Sequence, residues 1–550
     1  MTERIDHTLR NTWTPEGAKA AHLPPHALRW LRSRIGLAEV ATPVGPASLH
    51  TVADSALPPA ALAALVAVVG TAGVLTDRDA RLGRSGGLSY VDLMRHRGGG
   101  EPAVPDAVVL PGDPEQVQRV LEVCVEHGVA VVPFGGGTSV VGGVNPLRGD
   151  KASVIALDLL RLDKLVSVDP ISHTAVFQAG VRAPDAERLL EAHGFTLGHF
   201  PQSFERATLG GFAATRSAGQ ASAGYGRFED MVHALRLATP AGELRLGGSP
   251  ASAAGPDLKQ LVIGSEGTFG VITELTLRVR EAPTFHHYEG LVLDGWERGA
   301  LALRALAQQR VLADVTRLSD MDETEASLEL AGGWKGKALR SYLRTRGVVA
   351  PCLLILGWET TSPRELATRR QAALRALREF SPVRLGRPLG EAWRKGRFGG
   401  PRQRDLLLDA GVCVETLETA TDWAGLAALR TGVRGALTDA LSTAGSRPVV
   451  MCHVSHAYET GASLYFTVLS PRAEQAPLDQ WHRAKTAACE AIVNHAGTIT
   501  HHHAVGVDHA PWLAAEVGEL GLDVLRAVKD RLDPTGVLNP GKLVPPVGRP

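Results

Sequence analysis

Between residues 114 and 128 apolar side chains return at Val117, Val120, Leu121 and Cys124, the i, i+3, i+4, i+7 spacing that draws one apolar stripe along an α-helix. The stripe lies between two short apolar runs, "DAVVLPG" and "VAVVPF", so a strand, a helix and a strand are predicted in that order, with the helix packed on a sheet. In "GSEGTFGVITELTLRV" the period changes to two, and Val271, Leu275, Leu277 and Val279 share one face of a predicted strand. Upstream, helical pieces such as "PPAALAALVAVVG" are broken by proline and glycine and end at "RGGGEP". Beyond about residue 284 longer helical patterns take over, as in "SPRELATRRQAALRALREF". The pattern predicts an N-terminal helical region over 1–101, a strand-rich domain over 102–283 and a second mixed unit over 284–550.

Composition narrows the class. The chain has 550 residues, 44% of them hydrophobic, enough to bury more than one core. Fifty-eight basic residues balance fifty-eight acidic ones, so no global field draws it to nucleic acid. Cys124, Cys352, Cys413, Cys452 and Cys489 are scattered without paired spacing, against a disulfide framework or a zinc knuckle. The polar start and the lack of any long apolar run predict a cytoplasmic protein, soluble or peripheral to a membrane.

Three glycine-rich stretches carry candidate chemistry: "PFGGGTSVVGG" from Pro133, "PQSFERATLGGFAATRSAGQASAGYGRFEDMV" from Pro201 and "GSEGTFG" from Gly264. Consecutive glycines after a buried strand let backbone amides crowd a phosphate. The first stretch is followed by "VVGGVNP", which resists helix formation, so this is not the dinucleotide fingerprint.

In order and spacing, these stretches resemble the FAD domain of the vanillyl-alcohol oxidase and p-cresol methylhydroxylase superfamily over residues 102–283. The resemblance implies an α+β protein, with a two-subdomain FAD-binding domain of that type and an α+β cap over 284–550. It implies that Pro133, Phe134, Gly135, Gly136, Gly137, Thr138 and Ser139 surround the pyrophosphate. Gln202, Ser203, Thr208, Gly210, Gly211, Thr215, Arg216, Ser217 and Ala218 would line the isoalloxazine and ribityl region. Gly264, Ser265, Glu266, Gly267, Thr268, Phe269 and Gly270 would close over the adenine side. Relatives often carry Asp where this chain has Gln202. With no histidine in "GGGTS", the FAD is expected to be non-covalent.

In the second half, Arg317 in "ADVTRLSDMDET", Arg404 in "RQRDLLLDAG", Tyr465 in "GASLYFTV" and His501, His502 and His503 in "GTITHHHAVG" resemble, as an ordered set, the alkyldihydroxyacetonephosphate synthases. The resemblance implies exchange of the acyl chain of acyl-dihydroxyacetone phosphate for a fatty alcohol in ether-lipid synthesis, without net redox. Arg317 and Arg404 would bind substrate, and Tyr465 and the three histidines would be catalytic. Tyr465 would help remove the C1 proton, the fatty acid would leave, the flavin would carry the three-carbon unit, and a histidine would deprotonate the alcohol. The residue types suit the task, since guanidinium matches phosphate oxygens, histidine trades protons near neutrality, and tyrosine does so where its environment lowers its pKa.

A rival resemblance is to the FAD-linked D-2-hydroxy-acid dehydrogenases and oxidases of the same superfamily, through the cofactor domain and the ending "LDPTGVLNPGKL". They tend to carry a "GEHG" type sequence where this chain has three histidines and Ala504. A histidine triplet is also a candidate metal site. On a strand, however, His501 and His503 face one way and His502 the other, and no Cys or carboxylate stands at a ligand interval, so no metal is expected. In "GGWKGKALRSYLRTRG", Trp334, Ala338, Leu339, Tyr342 and Leu343 form an apolar stripe flanked by Lys335, Lys337, Arg340, Arg344 and Arg346, which reads either as a solvated cap helix or as a membrane-docking face. Nothing in the sequence fixes the oligomeric state, a homodimer included.

Overall fold

The computed structural model describes Trp13 and residues 22–38, 50–332 and 334–544. The predicted helix spans Pro114–His127, with the Asp113 side chain accepting from the Gln116 amide at its start and Gly128 in the left-handed region at its end. Val117, Val120, Leu121 and Cys124 are fully buried in the core of the N-terminal half.

That core lies between two sheets. The first contains β1 (Val74–Leu75), β2 (Ala107–Val109), β3 (Val129–Phe134) and β4 (Ser153–Asp158) in the order β1-β2-β4-β3, with β2, β4 and β3 parallel. The second contains β5 (Leu165–Asp169), β6 (Thr174–Gln178), β8 (Val232–Thr239), β9 (Gly242–Gly247) and β10 (Val271–Arg278) in the antiparallel order β5-β6-β10-β8-β9. A short pair, β7 (Phe195–Thr196) with β11 (Arg280–Glu281), stands beside it. The alternation read in β10 is realised, with Val271, Leu275, Leu277 and Val279 all buried.

The third sheet builds the cap: β12 (Phe285–Asp294), β13 (Val315–Ser319), β14 (Pro351–Thr360), β15 (Val383–Gly386), β16 (Val412–Asp422), β17 (Val449–Val454) and β18 (Gly461–Pro471). Its order is β15-β12-β14-β13-β17-β18-β16, antiparallel throughout. Helices cover one face and share a large apolar core with it.

The structure departs from the predicted organisation at both ends. Residues 1–101 are not one unit, because β1 joins the first sheet and the helix Pro59–Val69 buries Ala61 and Leu65 in the cofactor-side core. Leu31, Ile35, Leu88 and Tyr90 pack instead into the cap. The tail of 284–550 returns to the first sheet, where the Val131 amide donates to the Val537 carbonyl and the Asn539 amide to the Val131 carbonyl, each at 2.8 Å. β3 is an edge strand, and the tail satisfies polar groups that the edge would otherwise leave unpaired. Among the described residues, no helix is long and apolar enough to cross a membrane. All five cysteines are buried and free.

Candidate active site

Antiparallel register in the cap sheet lines up the chemistry. Ser319 of β13 lies opposite His453 of β17, His453 opposite Tyr465 of β18, and Tyr465 opposite Glu418 of β16. Opposed residues share a face, so one row crosses four strands. Arg317, two residues before Ser319, falls on the same face. His453 stacks on Tyr465 with ring centroids 4.6 Å apart. Arg317 donates to Glu323 Oε1 at 2.5 Å, and His453 Nδ1 lies 3.1 Å from Glu323 Oε2. Burial alone would raise the Glu323 carboxyl, but His453 and Arg317 outweigh it and hold it down to about 2.

Glu418 explains the histidine triplet, and the strand expected there is not formed. Residues 501–503 make a bend in which the amides of His501, His502 and His503 all donate to the Glu418 carboxylate, at 2.7, 3.0 and 2.8 Å, and Thr500 Oγ1 adds a bond at 2.7 Å. A carboxylate nested in successive amides stays charged. Against the cost of burial, His502, His503 and His501 hold Glu418 well below its usual range. The next turn repeats the device, with the Val505 and Gly506 amides each donating at 2.8 Å to Glu266 of the third glycine loop. Burial pushes Glu266 up to about 7. The histidine loop is thus tied to the cap sheet by one carboxylate and to the third glycine loop by another.

Because the backbone bends, the imidazoles do not diverge. Ring nitrogens of His456, His501 and His502 lie within 4.8 Å of one another, so the divergence expected of a strand, which argues against a metal, is absent. Five of their six nitrogens have protein partners. His456 Nε2 lies 3.0 Å from the Gly219 carbonyl and Nδ1 lies 3.0 Å from Ser455 Oγ, while His501 bonds His502 through Nδ1 and Tyr458 through Nε2.

Tyr465 also departs from expectation. Its environment does not lower its pKa: burial raises the phenol to about 12, so it stands as a neutral O–H donor. His503, whose ring meets Tyr465 edge-on at 5.4 Å, is held down to about 3, chiefly by burial, and is a neutral imidazole. Arg404 donates to Glu415 at 3.5 Å through Nη1, and its buried Nε has no partner among the described residues. An orphaned guanidinium donor in a cavity wall suits an anionic ligand.

A cavity of about 860 Å³ joins these groups to the glycine loops. Its wall includes Pro133, Phe134, Gly135, Gly136, Gly137, Thr138 and Ser139; Gln202, Ser203, Thr208, Gly210, Gly211, Thr215, Ser217 and Ala218; Glu266, Gly267 and Gly270; and Arg317, Arg404, Tyr465, His502 and His503. The remaining candidates stand behind it. Arg216 reaches back to the Gln260 carbonyl, Gly264 and Ser265 turn the loop, the Thr268 carbonyl accepts from Lys529, and Phe269 packs with Leu513 and Leu522. His501 sits behind His502. Gln202 lines the cavity, but its amide donates to the Arg397 carbonyl of the cap at 2.8 Å. Sequence reasoning missed His453, His456, Glu323 and Glu418. The pair "HVSH" was a visible signal, whereas the glutamates become meaningful only through strand register.

FAD fits the cavity. The amides of Gly135, Gly136 and Thr138 donate to no acceptor among the described residues, leaving donors for a pyrophosphate. A Cβ on Gly136 would approach the Arg206 carbonyl to 2.1 Å and one on Gly135 would approach Thr208 Oγ1 to 2.3 Å, so only glycine lets the two loops close.

Comparison with known proteins agrees. Residues 105–247 match the FAD binding domain family, and residues 282–543 match the C-terminal domain of FAD linked oxidases. An alkyldihydroxyacetonephosphate synthase of Trypanosoma brucei brucei is 33% identical over 481 residues, 85% of this chain and 78% of that protein. The chain belongs to the alkyldihydroxyacetonephosphate synthase family. A solved alkyldihydroxyacetonephosphate synthase superposes with a TM-score of 0.82 at 29% identity, covering 94% of this chain and 92% of that one. A p-cresol methylhydroxylase structure, at TM-score 0.67 and 14% identity over 89% of this chain and 97% of that one, shares the fold. Within the synthase family the α+β architecture and the FAD cofactor follow for this chain.

Proposed function

We infer that this protein is an FAD-dependent alkyldihydroxyacetonephosphate synthase, exchanging the acyl chain of acyl-dihydroxyacetone phosphate for a fatty alcohol with no net redox change. The observation that carries the reading over a hydroxy-acid dehydrogenase is the composition of the cavity. The wall that holds Tyr465, Arg317 and Arg404 also carries Leu328, Leu339, Leu343, Leu353, Leu385 and Leu389. A small hydroxy acid has no use for such a surface, whereas an alkyl chain gains roughly 0.8 kcal/mol per buried methylene.

The roles follow from placement. Gly135, Gly136 and Thr138, whose amides have no protein acceptor among the described residues, would hold the FAD pyrophosphate. Bound FAD supplies the carrier for the three-carbon unit between departure of the acid and arrival of the alcohol. Arg404, with its unpaired Nε, and Arg317, steadied by Glu323, bind the substrate phosphate. Tyr465 donates its O–H to substrate oxygen at C1 or C2, since a phenol raised by burial is a poor base. His502 and His503, on the cavity wall, hold the protons of C1 and of the alcohol in turn; the C1 proton returns to C1 as the ether is completed, and the alcohol's proton is the one released. The nest around Glu418 fixes both rings.

The helix Trp334–Thr345 supplies the lipid's approach. Leu339 and Leu343 turn inward to line the cavity, so these two do not form an outer docking stripe. Ala338, Lys337, Tyr342 and Arg344 remain exposed, placing cations outside a chain-binding wall. The side chains of Trp334 and Lys335 lie outside the described residues. A peripheral contact with an anionic bilayer at this helix is the arrangement the geometry supports.

Anaerobic incubation with acyl-dihydroxyacetone phosphate and a labelled fatty alcohol is expected to yield labelled ether and free fatty acid in equal amounts, with acid precipitation releasing FAD intact. Absence of labelled ether sinks the function, and flavin retained on the precipitate sinks non-covalent binding.

A further inference from the structure

The geometry points to a built-in proton exit in which His501 and Tyr458 carry the proton released at each turnover from His502, on the cavity wall, to solvent. The inference deepens the exchange reading and rests on it. An ester and an alcohol become an ether, a carboxylate and a proton: the C1–O bond to the acyl group breaks, a C1–O bond to the alkyl group forms, and no electrons change hands. Since the acid leaves as its anion at neutral pH, the alcohol's proton stays behind among buried imidazoles until something removes it.

A continuous chain of hydrogen bonds stands ready. His502 lines the cavity, and its Nδ1 lies 2.9 Å from Nδ1 of His501. His501 is not on the wall and is only 8% exposed, yet its other nitrogen, Nε2, lies 2.7 Å from the Tyr458 hydroxyl. Tyr458 is 37% exposed. A proton taken at one face of His502 can therefore displace one toward His501, which passes one from its far nitrogen to Tyr458, whose own proton goes to water. Each group ends neutral, having exchanged one proton for another.

The surroundings favour passage over storage. Arg227 donates to the His501 carbonyl at 2.8 Å; burial, and to a smaller extent Glu229 and Asp230, raise the Tyr458 phenol against the opposing pull of Arg227, so it stays a neutral O–H. Burial, then His502, and to a smaller extent Arg227 and His503, hold His501 well below its usual pKa against the pull of Glu418. A proton does not rest there. His456, packed 5.0 Å from His501, bonds the Gly219 carbonyl and offers no second route outward.

The test compares FAD-loaded wild type with Tyr458→Phe and His501→Gln, using a pH-indicator dye in stopped flow alongside steady-state rates. Both variants should keep the wild-type flavin spectrum and KM while kcat falls roughly tenfold to a hundredfold. Release of the proton to the dye should lag behind release of the fatty acid, the solvent isotope effect on kcat should rise, and added imidazole should restore part of the rate to Tyr458→Phe. Wild-type kcat, isotope effect and proton release in Tyr458→Phe would overturn the relay. So would a slowed Tyr458→Phe with an unchanged isotope effect and no rescue, which marks a structural role. If the wild type itself performs no exchange, the function reading has failed, and the relay falls with it for want of a proton to carry.

Discussion

At Tyr465 a single hydroxyl tests the proposed chemistry. The residue lines the cavity with its phenol neutral, flanked by His453 and Glu418 in register, so Tyr465→Phe removes the O–H while keeping nearly all the packing volume. Exchange is expected to fall by roughly 10²–10⁴-fold with FAD still bound, read as kcat beside flavin absorbance. A variant with more than half of wild-type activity would remove Tyr465 from the chemistry. The histidines set a second expectation. His199, His503 and His509 are each held down to about 3, chiefly by burial, below the ordinary value of about 6.5. Between those values the unfolded chain binds protons that the native protein does not. Stability is therefore complete above about pH 6.5 and lost as pH falls, by up to about 1.4 kcal/mol per pH unit for each histidine. Glu418, with a depressed pKa, adds a loss in the same direction further into acid. The thermal midpoint should hold steady above pH 7 and drop between pH 6.5 and 5; a flat midpoint across that range would contradict neutral burial.

At the scale of elements, what was legible in the sequence was local. The stripe of Pro114–His127 and the alternation of β10 are periodic within themselves, and both elements lie where the period places them. The glycine loops were legible because glycine is needed where backbone closes on backbone, as at Gly136 against Arg206. The histidine triplet was legible as part of the cavity region, where His502 and His503 line the wall, and misleading as geometry. Its conformation is set by Glu418, more than eighty positions away, and no local pattern reports a carboxylate arriving from another strand. The same holds for the tail that closes β3 and for the row across β13, β17, β18 and β16, since register is a property of pairs. The helix Trp334–Thr345 combines both cases, for its stripe was visible while the inward turn of Leu339 and Leu343 depended on the cap. Its exposed cations give a separable expectation. Changing Lys337, Arg344 and Arg346 together to Gln should weaken co-sedimentation with anionic vesicles, by about 1 kcal/mol per charge near the surface, without changing the flavin spectrum. Unchanged co-sedimentation would leave this helix as a solvated wall of the cavity.

Across the whole molecule, two cores are joined by the loop 500–506, whose amides hold Glu418 of the cap and Glu266 of the third glycine loop. That link fixes the imidazoles beside the cofactor cavity, whose leucine-lined wall belongs to the cap. The most direct measurement is the flavin absorbance spectrum under anaerobic conditions as substrates are added in turn. Acyl-dihydroxyacetone phosphate should alter the spectrum and a fatty alcohol alone should restore it, with no electron acceptor present, while D-lactate leaves it unchanged. Bleaching by D-lactate, with stoichiometric reduction of an artificial acceptor and no alkyl exchange, would show a dehydrogenase instead.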